Sequence, residues 1–300
     1  MTSKPFPLLR LPSLAQDKIS KNTELTELYH LSKLSTRSKY IVKRATHKCS
    51  YSLSFFFDKI SYYQLEKNRD FLRVNESSIS KLESDINHFM EVFNNPKFSI
   101  FLWGNASVIP LIFELVSRQN LKIENVSIDS KNPSLEEYKI ALELGSLSKQ
   151  FRFHSGVPAD FQNLQEPENL PVFKCDSILI RSSKWVTVSH LVHNFMNCKS
   201  VELGNCLIDF RTLHPLLEKL TKQETQMNSL ILRKKIEKVE TFSFQELLKD
   251  IPAIQVNHVR VGTYKVYTVG YIITMGNGKD AVICTDAESF VISTDFRVLQ

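Results

Sequence analysis

The segment CKSVELGNCLI, from Cys198 to Ile208, decides how the fold is interpreted, because its residues support two different structures. Together with His190 and His193 it places two histidines and two cysteines within seventeen residues, and zinc prefers these side chains. Structural zinc sites usually leave about two to four residues between paired cysteines and about three to five between paired histidines. Here the cysteines stand eight positions apart and the histidines three. We therefore expect no metal site.

A repeated strand explains the same segment better. Its apolar skeleton, built on Val201, Leu203 and Ile208, matches apolar-x-x-apolar-x-apolar-x-x-Asn/Cys-x-apolar, which is the pattern of leucine-rich repeats. Similar skeletons recur, and their central apolar positions are Phe101, Val126, Phe151, Ile178, Val201, Leu230 and Val259. Neighbouring positions are 23 to 29 residues apart, which fits a repeat of about 20–29 residues.

Helical patterns separate these strands: LIFELVSRQN, LEEYKIALEL, VSHLVHNF, FRTLHPLLEKL and FQELLKDI. Alternating strands and helices predict parallel strands with crossover helices on one side, so that stacked units share one core. We therefore expect residues 98–300 to form an irregular leucine-rich-repeat-like α/β solenoid that ends in a strand meander with a turn at Gly276-Asn277-Gly278. The repeats are irregular, and an ordinary α/β domain with coincidental spacing is the alternative.

Residues 1–48 differ, because three prolines precede the spaced apolar residues of short helices. The opening Phe6-Pro7-Leu8-Leu9-Arg10-Leu11-Pro12 resembles an F-box, in particular that of nematode-type F-box proteins with a type 2 F-box-associated domain. The segments around Val92-Phe93-Asn94, from Ile178 to Thr187 and from Gly270 to Val291 resemble the associated domain, so the resemblance covers most of the chain. Residues 49–97 would connect the two parts through a strand, SYSLSFFF, and a capping helix, ISKLESDINHFMEVF.

The resemblance implies a non-catalytic role as the substrate-recognition subunit of an SCF-type cullin–RING E3 ubiquitin ligase. The F-box would dock on the Skp-type linker protein, and through it on a cullin, while the C-terminal domain binds an unknown protein substrate for ubiquitination. The residues expected to bind the linker are Pro7, Leu8, Leu11, Pro12, Leu14, Ile19, Leu28 and Leu31.

Ser20 and Thr23 depart from the family, which has apolar residues in the first helix. Losing one buried anchor the size of leucine costs about 1.5–3 kcal/mol, so linker binding would weaken. The alternative function is a free-standing protein-interaction scaffold with a decayed F-box. The departure is harmless if the first helix simply ends early and Asn22 or Thr23 caps the next one.

The repeat register also predicts a substrate-binding face. If Val201 and Leu203 point into the core, the residues next to them face the open side of the sheet, as do their equivalents in other units, from Leu102 to Arg260. The candidate substrate-binding residues on this face are Arg152, His154, Leu179, Arg181, Ile231 and Arg233. Arginines interleaved with apolar side chains suit an acidic or phosphorylated partner, whereas a merely solvated face is the alternative.

Composition limits the remaining classes of function. The chain has 300 residues, 42% of them hydrophobic, and a formal net charge of +6, so it can bury a large core and carries no polybasic tail. Five scattered cysteines, no secretory signal and no apolar run long enough to span a membrane indicate an intracellular protein, cytoplasmic and/or nuclear. We expect no nucleic-acid partner, no membrane and no cofactor, and we find no catalytic motif that indicates an enzyme.

Overall fold

The computed structural model describes residues 10–58, 61–68, 70–75, 79–163, 166–234, 243–262 and 265–299. The fold is mixed α/β, with a helical N-terminal region and an extensive sheet. The chain divides into two compact units: unit 1 comprises Met1–Phe101 and Leu115–Glu124, and unit 2 comprises Leu102–Glu114 and Asn125–Gln300.

Unit 1 begins with three short helices, followed by an antiparallel sheet and a longer helix. These elements are α1 (Ser13–Lys21), α2 (Leu25–Leu34), α3 (Thr36–Thr46), β1 (Ser52–Phe57), β2 (Tyr62–Lys67), β3 (Asp70–Asn75) and α4 (Ile79–Val92). Strand β4 (Lys97–Gly104) begins in this unit, and the strand order there is β4-β1-β2-β3. The predicted strand and capping helix of the connecting segment correspond to β1 and α4. Strands β2 and β3 were not predicted from the sequence.

Side-chain caps fix the ends of the first helices. Ser35 and Ser38 form a capping box at the start of α3. The first N–H of α2, at Leu25, donates to the Asp70 carboxylate at 2.9 Å. Thr23 donates to the carbonyl of Ile19 at the end of α1, and Asn22 similarly bonds to Lys18. The prediction that Asn22 or Thr23 caps α2 was therefore wrong, since both side chains bind back to α1.

Unit 2 contains the remaining elements of the chain, and α5 and β5 run across the boundary between the units. The helices are α5 (Ile109–Gln119), α6 (Leu135–Ser146), α7 (Val188–His190, continued by a π-helical turn over Leu191–Phe195), α8 (His214–Lys222) and α9 (Phe244–Leu247). The strands are β5 (Ile123–Ser130), β6 (Ser148–Phe153), β7 (Ser177–Ile180), β8 (Ser200–Leu203), β9 (Ser229–Arg233), β10 (Ala253–Val261), β11 (Lys265–Thr274), β12 (Asp280–Thr285), β13 (Ser289–Ser293) and β14 (Phe296–Val298).

The sheet of unit 2 has a parallel and an antiparallel part. Its strand order is β5-β6-β7-β8-β9-β13-β12-β11-β10-β14, with parallel pairing from β6 to β9 and antiparallel pairing from β9 to β14. In the parallel part Phe151, Ile178, Val201 and Leu230 lie opposite one another, and all four are buried. The predicted core register is therefore confirmed for these four units, and the turn at Gly276-Asn277-Gly278 joins β11 to β12 as predicted.

The solenoid prediction was wrong at both ends of the array. In β4, Leu102 is 1% exposed and belongs to the core, whereas Phe101 is half-buried on the opposite face. A one-residue shift of register moves every side chain of a strand to the other face. Val259 and Arg260 lie in β10, which pairs antiparallel with β11 and β14, and β13 occupies the place next to β9.

Candidate functional site

Unit 2 brings the six candidate substrate-binding residues to one face of its sheet. Arg152, Leu179 and Ile231 belong to a row across β6 to β9 in which Glu202 is the fourth member. The next row, at the ends of the same strands, consists of His154, Arg181, Gly204 and Arg233. Side chains of both rows point away from the buried positions between them, as alternation along a strand requires.

Arg233 is engaged by a neighbouring strand. Its Nε donates to Oε1 of Glu202 at 2.8 Å, and both side chains are partly exposed. This ion pair neutralises one of the arginines that the sequence analysis assigned to a free surface. It also removes the negative charge that Glu202 would otherwise present to an acidic partner.

Ile231 is half-buried and contacts a second apolar cluster. It packs against a buried cluster formed by Val259, Tyr267, Val282, Cys284 and Val291. Val291 lies directly opposite Ile231 in the β9–β13 pair, so β13 continues the sheet beside it. Part of the Ile231 side chain is therefore engaged within the protein, and its role in partner binding stays a prediction.

The other four candidates lie on β6 and β7 or directly after these strands. Arg152 and Arg181 are exposed, and His154 and Leu179 are half-buried. Neither Arg152 nor Arg181 forms an ion pair with any residue in the described part of the chain. Asp129 is exposed on the same side of neighbouring β5, next to His154, whose backbone N–H donates to Ile128 at 2.8 Å.

Gly204 packs closely against the backbone of Arg181. A Cβ at this position would meet the Arg181 carbonyl oxygen at 2.6 Å, so no larger residue fits without a backbone shift. The Gly204 N–H donates to Ile180, and its carbonyl accepts from both the backbone and the hydroxyl of Ser183. Close packing of the chain here, rather than a φ angle, requires glycine.

The candidate linker-binding residues lie in different environments. Leu14 is 83% exposed, Pro12 and Ile19 are also exposed, and Leu11 and Leu31 are half-buried. Leu28 is only 3% exposed and packs in the core of unit 1, so it cannot contact a partner directly. Pro7 and Leu8 lie outside the described residues. The apolar side chains of Leu34 and Tyr40, which the sequence analysis did not select, are largely exposed as well.

The side chain of Ser20, near the end of α1, faces the protein interior. It is 1% exposed, and within the described residues its hydroxyl has no hydrogen-bond partner. Gln16 is buried one turn earlier and donates to the carbonyl of Leu11 at 3.0 Å. Arg44 of α3 pairs with Asp17 of α1 at 2.6 Å. The departure at Ser20 therefore affects the packing of α1 rather than a surface contact.

A buried polar cluster connects α2 with α4 and β2. Asp85 accepts hydrogen bonds from Tyr63 at 2.6 Å, from Lys33 at 2.6 Å and from Tyr29 at 3.4 Å. Burial disfavours the charged carboxylate, but the bonds from Lys33 and Tyr63 outweigh it and hold the pKa of Asp85 below its ordinary value. Burial, together with the bond to Asp85, raises the pKa of Tyr63 far above its usual range.

His88 lies beside this cluster. Its Nε2 is 2.7 Å from the hydroxyl of Ser32, which also donates to the carbonyl of Tyr29. Burial and the nearby charges of Lys33 and Lys39 lower the pKa of His88, because they oppose uptake of a proton. The cluster is missed by sequence patterns, since its members are brought together from separate elements.

The histidines and cysteines between His190 and Cys206 are buried or hydrogen-bonded within the protein. Cys198 and Cys206 are buried at their predicted core positions. His190 is buried in a capping box with Thr187, and His193 is exposed and bonded to Ser189. Across the described ranges, no group of three or more His, Cys, Asp or Glu side chains could hold a metal ion.

A pocket of about 380 Å³ lies where β5 and β6 lead into loops. It is lined by Asn132, Pro133, Ser134, Leu135, Gly156, Val157, Pro158, Ala159 and Asp160. The capping box of Ser134 and Glu137 already occupies the N-terminus of α6 beside it. In the part of the chain that the structure describes, no helix has the length and apolar character needed to cross a membrane.

Comparison with known proteins gives a distant nematode relative. The chain is 21% identical over 254 residues to the Skn-1 dependent zygotic transcript 15 protein of Caenorhabditis elegans, covering 70% of this chain and 73% of that protein. No protein-family model matches the chain, and no solved structure matches it. The chain is therefore similar to a nematode protein.

Proposed function

We propose that this chain is a nematode-type F-box protein with a type 2 F-box-associated domain, and that it serves as the substrate-recognition subunit of an SCF-type cullin–RING E3 ubiquitin ligase. In this proposal the three N-terminal helices dock on the Skp-type linker, and unit 2 binds the substrate. The protein is a non-catalytic adaptor. The similarity to a nematode protein agrees with the proposal but says nothing about an F-box.

The exposed apolar side chains of the first helices carry the proposal. Leu14 is the most exposed large apolar side chain among the described residues, and Ile19, Leu34 and Tyr40 add to the apolar surface of the same three helices. A contiguous exposed apolar surface usually marks an interaction site, and in this proposal these four side chains contribute to one. Within unit 2, the parallel strands β6 to β9 share the strand spacing of leucine-rich repeats and present an open, partly charged face.

The test is capture of purified Skp-type linker by the immobilised full-length chain. We expect the double variant Leu14→Asp/Ile19→Asp to weaken capture by about tenfold or more, because each leucine-sized anchor contributes about 1.5–3 kcal/mol. The matched control is Leu207→Asp in unit 2, which changes an apolar residue that is 68% exposed and should leave capture unchanged. Thermal unfolding of all variants checks that they are folded.

A free-standing interaction scaffold is the second candidate, and Ser20 favours it. A buried hydroxyl without a partner weakens the packing of α1, which carries Leu14 and Ile19. If the wild-type chain captures no linker at concentrations where an intact F-box protein does, the ligase proposal is wrong and the scaffold remains.

A further inference from the structure

We propose that Arg152 and Arg181 form a binding site for a phosphorylated serine or threonine in an extended segment of a partner protein. The inference rests on the proposed function in one respect, since the partner would be the substrate of the ligase. The proposed site occupies the part of the predicted face at β6 and β7. Its ligand is a phosphate group rather than acidic residues in general.

The register brings the two arginines close together. Arg152 of β6 lies opposite Leu179. Arg181 follows Leu179 by two residues, directly after the end of β7, where its backbone N–H donates to the carbonyl of Phe153 in β6 at 2.8 Å. With strands about 4.8 Å apart and a rise of about 3.3 Å per residue, their Cα atoms are separated by about 8 Å. Both residues are exposed on the same face. Two long arginine side chains at this separation are able to contact a single anion between them.

The charge balance of the face leaves these two arginines for a ligand. Arg233 is paired with Glu202, so neither of those charges competes for the site or repels an anion strongly. Arg152 and Arg181 have no ion-pair partner within the described ranges, and His154 adds a third basic side chain next to Arg181. Asp129 is the acidic side chain that faces His154 from β5, on the far side of β6 from Arg181.

The chemistry of the two groups favours a phosphate over a carboxylate. Each guanidinium offers a planar fork of N–H donors, and a phosphate has three acceptor oxygens with a charge of about −1.5 to −2 at pH 7. A carboxylate has two oxygens and a single charge, so it neutralises one guanidinium group but not two. The pair of arginines therefore matches a phosphorylated side chain.

The surroundings of the site suit an extended chain. Leu179 lies between the two arginines and is half-buried, so it provides an apolar contact for a neighbouring residue of the ligand. Ser177, Ser200 and Ser229 lie in the adjoining row across β7 to β9, and these small side chains do not obstruct a segment that crosses the strands.

The experiment uses the purified full-length chain and three fluorescent libraries of nine-residue peptides. The flanking positions are degenerate, and the fixed central residue is phosphoserine, serine or glutamate. Fluorescence anisotropy should show that the phosphoserine library binds about tenfold or more tightly than either of the others. The double variant Arg152→Glu/Arg181→Glu should lose this preference, whereas Arg260→Glu, an exposed arginine on β10, should keep it. Thermal unfolding establishes that each variant is folded.

Three outcomes overturn the inference: equal binding of all three libraries, equal binding of the phosphoserine and glutamate libraries, or a preference that survives in the double variant. Linker capture by the same proteins separates this inference from the proposed function. A phosphoserine preference without linker capture would support the site and contradict the ligase role. Linker capture without the phosphoserine preference would support the ligase role and contradict the site.

Discussion

At the scale of single residues, Ser20 and Ser38 are equally buried but differ in their hydrogen bonds. Both are 1% exposed, and Ser38 bonds to the backbone and hydroxyl of Ser35 while the Ser20 hydroxyl has no partner among the described residues. A buried polar group without a partner costs about 1–3 kcal/mol, whereas loss of a helix cap costs about 1 kcal/mol. Burial alone therefore does not decide what a serine contributes.

We expect Ser20→Ala to leave the free energy of unfolding unchanged or to raise it by about 1 kcal/mol, and Ser38→Ala to lower it by about 1 kcal/mol. Ser20→Leu should be destabilising by about 1–3 kcal/mol, because the site is full. Urea unfolding of the three variants measures these changes. A loss of stability in Ser20→Ala as large as that in Ser38→Ala would show that the Ser20 hydroxyl is satisfied.

His88 should make the protein less stable in mild acid. Its pKa is lowered in the folded state, so the unfolded chain takes up the proton at a higher pH, near the ordinary value of 6.5. The unfolded state therefore binds more protons as pH falls through 6.5, and stability falls with it, by at most about 1.4 kcal/mol per pH unit for one group. Above the unfolded-state pKa of His88, its contribution to the free energy of unfolding is fully retained.

This pH dependence is measured by urea unfolding at pH 7.5 and pH 5.5. His88→Gln removes the titrating group and should reduce the loss of stability between the two conditions. The exposed His193→Gln is the control and should follow the wild type. An identical pH dependence in His88→Gln and the wild type would contradict the assignment.

At the scale of elements, the success of the register prediction depended on whether only one face of a strand is apolar. In β8 the buried Val201 and Leu203 alternate with polar Ser200 and Glu202, so the sequence has one consistent register. In β4 both faces are apolar over the segment FSIFLW, and each register is consistent with the pattern. Tertiary packing selects one of them, because Phe101 stacks on Phe56, with ring centroids 4.9 Å apart.

The Asp85 cluster should contribute more to the stability of unit 1 than the ion pair of Glu83, which lies two residues earlier on the same helix. Asp85→Ala leaves the hydroxyl of Tyr63 buried without its acceptor and removes the partner of Lys33, so we expect a loss of about 2–4 kcal/mol. Glu83→Ala removes an exposed pair with Arg118 and should cost about 1 kcal/mol or less. Chemical unfolding of both variants tests the difference, and equal losses would contradict it.

At the scale of the whole molecule, regular spacing predicted too many parallel strands. Val259 follows Leu230 at an interval that fits a repeat, but the spacing of apolar residues contains no information about strand direction. The short turn at Gly276-Asn277-Gly278 favours a hairpin, and the resulting meander returns β13 to the edge of β9. The open face was predicted over four strands because local alternation defines it, whereas the contact of Ile231 with residues of the antiparallel strands depends on pairings that are distant in the chain.

The division into an F-box at 1–48, a connecting segment at 49–97 and an associated domain at 98–300 remains a prediction, and the contacts of unit 1 suggest a test of it. The N-terminal helices depend on residues beyond position 48: Tyr29 stacks on Phe89 with ring centroids 5.3 Å apart, and Lys33 pairs with Asp85. The first N–H of α2 is capped by Asp70. Isolated helices of about 10 residues are marginal in water, so these contacts are needed to hold α2 in place.

We therefore expect a fragment of residues 1–48 to show weak helical circular dichroism and no cooperative thermal transition, whereas a fragment of residues 1–124, which contains both segments of unit 1, should unfold cooperatively. Asp85→Ala in the longer fragment should lower its midpoint, since the cluster joins α2 to α4 and β2. Adding the purified Skp-type linker to fragment 1–48 tests whether another partner can hold α2 in place. If the linker does not increase the helical signal, α2 needs the rest of unit 1. A cooperative transition in fragment 1–48 alone would mean that the three helices form an independent module and that their contacts with Asp70, Asp85 and Phe89 are dispensable.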